Sequence, residues 1–274
     1  MISKTMPQTP TAPQITANGA IPGHLQLIAR SARTRQLPPP RANHVLAAVP
    51  SAGFHRIMVH LESVAMAVGD VLCDTGRKPR HVYFPTTAIV SLVCETADGA
   101  SGEICAVGND GVVGFELFTG GEAACNRAVV ASAGDGFRLE ARHLKCEFGD
   151  TALLMPALLG YTQALITQIA RVAVCNRHHS VEQRLCRRLL FSLDRLPAGE
   201  LLMTHEHLAE ILGVRRESIT MAVGKLQSAG VIRCFRGRIE VLDRPGLELR
   251  ACECYREKSG RLAPVGMRVA RAAA

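Results

Sequence analysis

Residues 202–226 read Leu-Met-Thr-His-Glu-His-Leu-Ala-Glu-Ile-Leu-Gly-Val-Arg-Arg-Glu-Ser-Ile-Thr-Met-Ala-Val-Gly-Lys-Leu, and the fold turns on this stretch. Thr204 can start a helix by accepting a backbone N–H bond. Leu208, Ile211 and Leu212 share one face of that helix, and Ala209 is small where a second helix must cross. Gly213 can take the left-handed backbone that ends the first helix and turns the chain. A second helix then begins near Arg215. Ile219, Ala222, Val223 and Leu226 point inward, which leaves Arg216, Glu217, Thr220, Met221 and Gly224 outward.

The flanks sharpen this pattern. Residues 231–235 and 238–242 alternate in polarity about the two-residue turn Arg236-Gly237. That is a β-hairpin, and it carries Arg233, Arg236 and Arg238. Upstream, residues 181–197 form a helix with Leu185, Leu189, Leu190 and Leu193 inward, stopped by Pro197-Ala198-Gly199. Helix, glycine turn, helix and basic hairpin together predict a winged helix-turn-helix over residues 179–250, a unit whose second helix enters the major groove of DNA.

Charge agrees with that placement. The net charge is +8. Residues 1–170 hold 13 Lys/Arg and 13 Asp/Glu, whereas residues 171–274 hold 19 and 11. Only the C-terminal part is built to meet a polyanion.

Residues 1–42 are rich in Pro, Thr, Ala and Gln, and Arg30, Arg33, Arg35 and Arg41 stand among few apolar neighbours; a disordered arm is expected. Short helices are expected over 43–65. From 66 to 141 short β-rich runs (71–73, 81–84, 89–94, 102–107, 128–131, 136–139) are separated by turns such as Asp98-Gly99 and Asn109-Asp110-Gly111, as in a small antiparallel sandwich or barrel. A short helix follows at 141–148. A long one covers 151–177, where Leu158, Thr162, Leu165, Ile169 and Val172 recur at heptad-like spacing and predict a two-helix dimer seam. The expected class is α+β: an antiparallel β-roll of the jelly-roll kind (43–148), a dimerisation helix (149–178), the winged helix-turn-helix (179–250) and a tail (251–274).

Residues 208–219 resemble the helix-turn-helix of the Crp/Fnr transcription regulators. Gly69-Asp70-Val71-Leu72 with His81-Val82-Tyr83-Phe84-Pro85 is similar to the start of that family's roll, and Asn109–Gly114 to its central turn. The resemblance covers about residues 43–250. It implies that Arg216 and Glu217 read bases, Arg216 by two bonds to guanine O6 and N7 and Glu217 by accepting from cytosine N4. Where Crp has a second base-reading arginine, this chain has Met221, which suits a thymine methyl; Thr220 completes the base-reading set. Thr204, Arg215, Ser218, Lys225, Arg233, Arg236 and Arg238 are candidate phosphate contacts.

The family's cyclic-nucleotide site uses a Gly-Glu pair for the ribose and an Arg-Ser pair for the phosphate. The matching places here read Gly114-Phe115, with Glu116 adjacent, and Asn126-Arg127. Gly114, Glu116 and Arg127 are what remain as effector-binding candidates, and ordinary cAMP binding is not expected. The Fnr branch holds an iron–sulfur cluster on clustered N-terminal cysteines; no cysteine precedes Cys73, so no cluster is expected.

The ten cysteines show no CxxC, and most, including Cys94 and Cys105, read as small hydrophobes in apolar runs. His205/His207, His178/His179 and Cys252/Cys254 are metal-ligand candidates by proximity, but each pair lacks a partner set, so no metal is expected. No uninterrupted apolar run has bilayer length, and the first forty residues lack a secretory h-region, so a cytoplasmic protein with no membrane partner is expected. The expected partners are double-stranded DNA and a second copy of the chain, with RNA polymerase a further one. The alternative is a signalling or scaffold module whose roll binds a small molecule or protein. No catalytic motif points to an enzyme.

Overall fold

The computed structural model describes residues 37–97, 101–146, 153–196 and 200–255. Most of the expected arm, the Asp98-Gly99 turn, the Pro197–Gly199 stop and the tail beyond 255 lie outside the described residues. Within the expected arm, Pro40–Ala42 forms a 3-10 turn. Arg41 stacks over Phe54 at 4.2 Å and donates to the carbonyls of Ala47 and Val49. It is a structural arginine of the roll.

Two helices come first, α1 (His44–Ala47) and α2 (Ser51–Met58). Asn43 fixes their entry. Fully buried, it accepts from the amides of Val45 and Leu46 and donates to the carbonyls of Pro85 and Gly111, each at 2.9 Å. The roll follows as β1 (Glu62–Met66), β2 (Val71–Cys73), β3 (His81–Pro85), β4 (Ile89–Glu95), β5 (Ser101–Val107), α3 (Glu116–Thr119), β6 (Arg127–Ser132), β7 (Gly134–Glu140) and α4 (Ala141–Cys146). Six strands fall where the β-rich runs predict them. Strand β1 was expected to be helical; its Glu-Ser-Val-Ala-Met pairs with β7 because Val64 and Met66 are placed to face the opposite sheet.

The strands form two antiparallel sheets, ordered β1-β7-β3 and β2-β6-β4-β5. Side chains alternate across the smaller one. Val82, Phe84, Phe137 and Leu139 pack under the helices, while Met66, Val64 and Tyr83 meet Val90, Leu92, Val107 and Val130 of the larger sheet. Gly134 and Gly136 carry no side chain where the β3–β4 backbone crosses; a Cβ on Gly134 would lie 2.3 Å from the Ala88 nitrogen.

The long helix α5 (Met155–His178) corrects the expected seam. By length and composition alone it is apolar enough to cross a membrane. Its predicted seam is already occupied: Leu158, Leu165 and Val172 are buried, and Leu158, Leu165 and Ile169 pack on the cores of the chain's own roll. The apolar residues left facing out are Leu159, Ile166 and Val174, exposed by 53%, 56% and 56%. Heptad spacing marks an apolar stripe but cannot say which surface covers it.

The C-terminal part runs α6 (Val181–Leu193), β8 (Glu200–Leu202), α7 (His205–Leu212), α8 (Arg216–Ser228), β9 (Ile232–Phe235), β10 (Arg238–Val241) and α9 (Arg244–Arg250). Its core joins Leu185, Leu189 and Leu190 of α6 to Leu208, Ile219, Leu226, Ile239 and Leu247. Strand β8, unforeseen in the sequence, pairs with β10 and makes the wing a three-stranded sheet, β8-β10-β9.

Helix α6 also locks onto the roll. Arg188 reaches Glu103 of β5 at 3.1 Å, both side chains being buried, and the Ser91 hydroxyl donates to the same carboxylate. Burial pushes the Glu103 carboxyl up and the Arg188 guanidinium down from their ordinary values, each opposed by the other's charge. Arg195 is bidentate on Asp110, and its guanidinium carbon lies 3.3 Å from the centre of the Phe191 ring. Gly108 lies beneath it; a Cβ there would meet the Arg195 side chain at 2.4 Å.

Candidate nucleic-acid interface

Helix α7 starts and stops as its sequence dictates. Thr204 accepts the His207 amide at 3.1 Å, and Gly213 adopts φ 59°, ψ 45°. The Val214 amide then bonds to the Ala209 carbonyl at 3.0 Å, closing a Schellman turn. Arg184, buried on α6, donates to the Leu212 carbonyl at the negative end of α7. The sequence held no sign of this contact, because Arg184 lies 28 residues away.

Helix α8 buries Ile219, Ala222, Val223 and Leu226, as expected. Arg215 is its extended N-cap and no side chain caps the helix, so its first amides remain open to an acceptor. Arg216, Glu217, Thr220 and Met221 are exposed on one outer face. Arg216 sits 3.7 Å from Glu206, and both are two-thirds exposed. Such a pair is worth little in water and leaves the guanidinium free to change partners.

Thr220 is more committed than its position suggests. Its hydroxyl donates to the Arg216 carbonyl at 3.1 Å and lies 3.1 Å from His205 Nδ1. His205 Nε2 in turn meets Cys234 Sγ at 3.7 Å, so this imidazole ties α7, α8 and the wing together. Ser218 is half-buried in the first turn of α8. Lys225 lies near the other end, 3.9 Å from Glu182 of α6.

The wing turns at Arg236 (φ 45°) and Gly237 (φ 76°), the positive pair of a type I′ hairpin. Arg236 lies near the Phe235 ring, Arg233 pairs with Glu240 at 3.1 Å, and Arg238 is exposed. The Met203 amide donates to the Gly237 carbonyl, which brings the wing tip beside Thr204. The arrangement therefore groups Thr204, the first turn of α8, and Arg236 and Arg238, with Lys225 set apart.

Comparison with known proteins agrees with this geometry. The Crp-like helix-turn-helix domain matches residues 183–250. The chain is 29% identical over 199 residues to the transcriptional regulator SdrP of Thermus thermophilus, covering 68% of this chain and 93% of SdrP. A crp/fnr-family regulator from Eubacterium rectale superposes with a TM-score of 0.60 at 16% identity, over 77% of this chain and 98% of that one. FixK2 of Bradyrhizobium japonicum gives 0.61 at 16% identity, over 70% and 98%. Residues 183–250 are thus a Crp-like helix-turn-helix domain, and the chain shares the fold of Crp/Fnr regulators. The relative and the two neighbours are transcriptional regulators, and the Crp-like match falls on the winged helix.

Each effector candidate has contacts of its own. Gly114 has φ 89° and packs against the His81 carbonyl. Glu116 is buried in α3, where Cys125 Sγ lies 3.7 Å from its carboxylate, and burial pushes its carboxyl up. Arg127 is paired with Glu95 at 3.4 Å and Asp74 at 3.9 Å. A cavity of about 1200 Å³ lies between the β2–β3 connection and the β7–α4 junction; Asp74, the partner of Arg127, lines it together with Arg77, Lys78, Arg80 and Arg142.

Most described cysteines are buried or half-buried, in keeping with the expected packing role, with two exceptions. Cys73, Cys105 and Cys186 are buried, but Cys94 and Cys125 are exposed; β4 shifts register after Leu92, and its last two residues, Cys94 and Glu95, are exposed. Cys175, His179, Cys252 and Cys254 come together, their ligand atoms all within 4.8 Å of one another. Sequence reasoning had treated His179 and the Cys252/Cys254 pair separately and left each without partners.

Proposed function

We propose that this chain is a transcription regulator of the Crp/Fnr kind, a cytoplasmic homodimer that reads a palindromic DNA site through α8, with the roll biasing how the two recognition helices are held. The observation that carries the reading is the outer face of α8, where Arg216, Glu217 and Met221 stand exposed at an N-terminus that no side chain caps. Arg216 then reads guanine, Glu217 accepts from cytosine, and Met221 contacts an apolar base edge such as the thymine methyl. The Thr220 hydroxyl proton goes to the Arg216 carbonyl, so Thr220 positions more than it reads. Thr204, Arg215, Ser218, Arg233, Arg236, Arg238 and Lys225 serve phosphates, with Lys225 the outermost.

The partner copy packs on Leu159, Ile166 and Val174, the apolar residues α5 leaves uncovered. Two copies placed that way present helices about one DNA turn, ~34 Å, apart. The Glu103–Arg188 and Asp110–Arg195 links give the roll its purchase on α6 and on the residues just after it. Its effector is not cAMP bound in the usual manner, since Phe115 stands where a ribose-binding carboxylate would and Arg127 is held by two acids. RNA polymerase is the further partner of a regulator on its promoter, and no catalytic role is assigned.

Selection of bound DNA from a random pool, followed by sizing of the complex, tests this. A palindrome bound by two chains, with log Kd steep in log salt, is expected. A shallow salt slope with no preferred sequence would reject specific binding in favour of a scaffold role.

A further inference from the structure

Four side chains from the two ends of the DNA-binding unit meet at one point. Cys175 and His179 lie one helical turn apart, at the last turn of α5 and its C-cap. Cys252 and Cys254 follow α9, with Glu253 between them. Cys175 Sγ is 3.6 Å from Cys252 Sγ, and Cys254 Sγ is 3.7 Å from His179 Nδ1. A single tetrahedral ion with metal–sulfur bonds of about 2.3 Å and metal–nitrogen bonds of about 2.0 Å sets edges of about 3.8 Å (S–S) and 3.5 Å (S–N). The spacings here match those edges, whereas an iron–sulfur cluster spreads its thiolates farther apart.

The outer groups fit as well. His179 turns Nδ1 to the cluster, and its Nε2 lies 3.1 Å from the Glu253 carboxylate. A metal-bound imidazole is commonly held in this way, its second nitrogen donating to a carboxylate that fixes the ring. Cys175 and Cys252 are buried, and His179 and Cys254 are half-buried, so the centre is shielded but reachable. A disulfide between Cys175 and Cys252 would use only two of the four groups and leave the aim of the other two without cause.

We propose that Cys175, His179, Cys252 and Cys254 form a Cys3His site for one Zn²⁺ ion. Four protein ligands leave no open position, so the ion is structural. On binding, three thiol S–H bonds break, three Zn–S bonds form and three protons pass to the buffer. The ligands are 77 residues apart in the chain, and α6 to α9 lie between them. The ion therefore fastens the last segment of the winged helix to the end of α5, at the joint on which the angle of the recognition helix depends.

The test uses the full chain, purified with reductant and without chelator. One zinc per chain by mass spectrometry is expected. Titration of the metal-free chain with Co²⁺ should raise thiolate-to-cobalt charge-transfer and tetrahedral d–d absorption, both abolished by Zn²⁺. Chelation should lower Tm by roughly 5–10 °C relative to protein in a hundredfold excess of Zn²⁺ over its Kd. Cys254→Ser should lose the cobalt spectrum, and Cys94→Ser, outside the cluster, should keep it. Glu253→Gln, at an exposed position that leaves the fold intact, should weaken the metal about 10- to 100-fold. Less than one-tenth zinc per chain without a cobalt spectrum would overturn the proposal. So would metal retained in the Cys252→Ser/Cys254→Ser double variant, or a Cys175–Cys252 disulfide found in place of the ion.

Discussion

Truncating Ile166 and Leu165 one at a time separates the two faces of α5. Ile166 exposes 56% of its surface within one chain, and Leu165 exposes 3%. Full burial of such a side chain is worth about 1.5–3 kcal/mol. If the partner copy covers what is left of Ile166, each chain gains about 0.8–1.7 kcal/mol there, or about 2–3 kcal/mol per dimer. Ile166→Ala should therefore raise the dimer Kd roughly 20- to 200-fold. It should move Tm little at protein concentrations that keep the chain dimeric. Leu165→Ala should instead cost about 2–5 kcal/mol of stability, since its loss leaves a cavity against the roll. Sedimentation equilibrium across a dilution series measures the first effect and thermal unfolding the second. If Leu165→Ala, and not Ile166→Ala, dissociated a folded dimer, the assignment of the faces would be reversed. If Ile166→Ala kept Kd within twofold, α5 would not be the contact.

The remaining predictions concern the reading head and the roll. Arg216→Ala should cost about 1–3 kcal/mol of specific binding and flatten the preference at one base position, measured by competition with single-base operator variants; a loss equal on every sequence would make Arg216 a phosphate contact. Arg236→Asn should gain up to about 1 kcal/mol of stability, because Asn accepts the positive φ of the wing turn more readily, while the salt slope of DNA binding falls by about 1. An unchanged slope would remove Arg236 from the interface. The folded-state value of Glu116 is raised above its ordinary 4.5 by burial, so the folded state favours the protonated form. That stability is fully present below about pH 4.5 and is lost as pH rises through the raised value. Glu116→Gln should flatten Tm against pH on that side, and a parallel profile would contradict it.

The reading head was legible in the sequence because its signals are local. Thr204, Gly213 and the Arg236-Gly237 turn each declare a backbone state within a few residues, and the structure places all three as read. What escaped was non-local. Asn43, Arg184, Arg188 and Arg195 look like surface residues in their own segments, and only the approach of a distant carbonyl or carboxylate buries them. Strand β8 has three residues and forms only because β10 offers an edge. The Cys3His cluster was invisible because neither half carries a ligand set until α9 returns to the end of α5. The effector candidates were transferred by position, and Gly114, Glu116 and Arg127 turn out to answer to their own neighbours.

The grip of α6 on the roll also limits how this chain can be recombined. A chimaera cut at residue 180 would join a foreign roll to Arg188 and Arg195, whose carboxylate partners sit on β5 and the Asn109-Asp110-Gly111 turn. Each guanidinium stranded in that way would cost about 3–5 kcal/mol. Hybrid regulators should therefore be assembled with the β4–β5 hairpin and its following turn moved together with the winged helix, so that sensor strand and reader travel as one cassette.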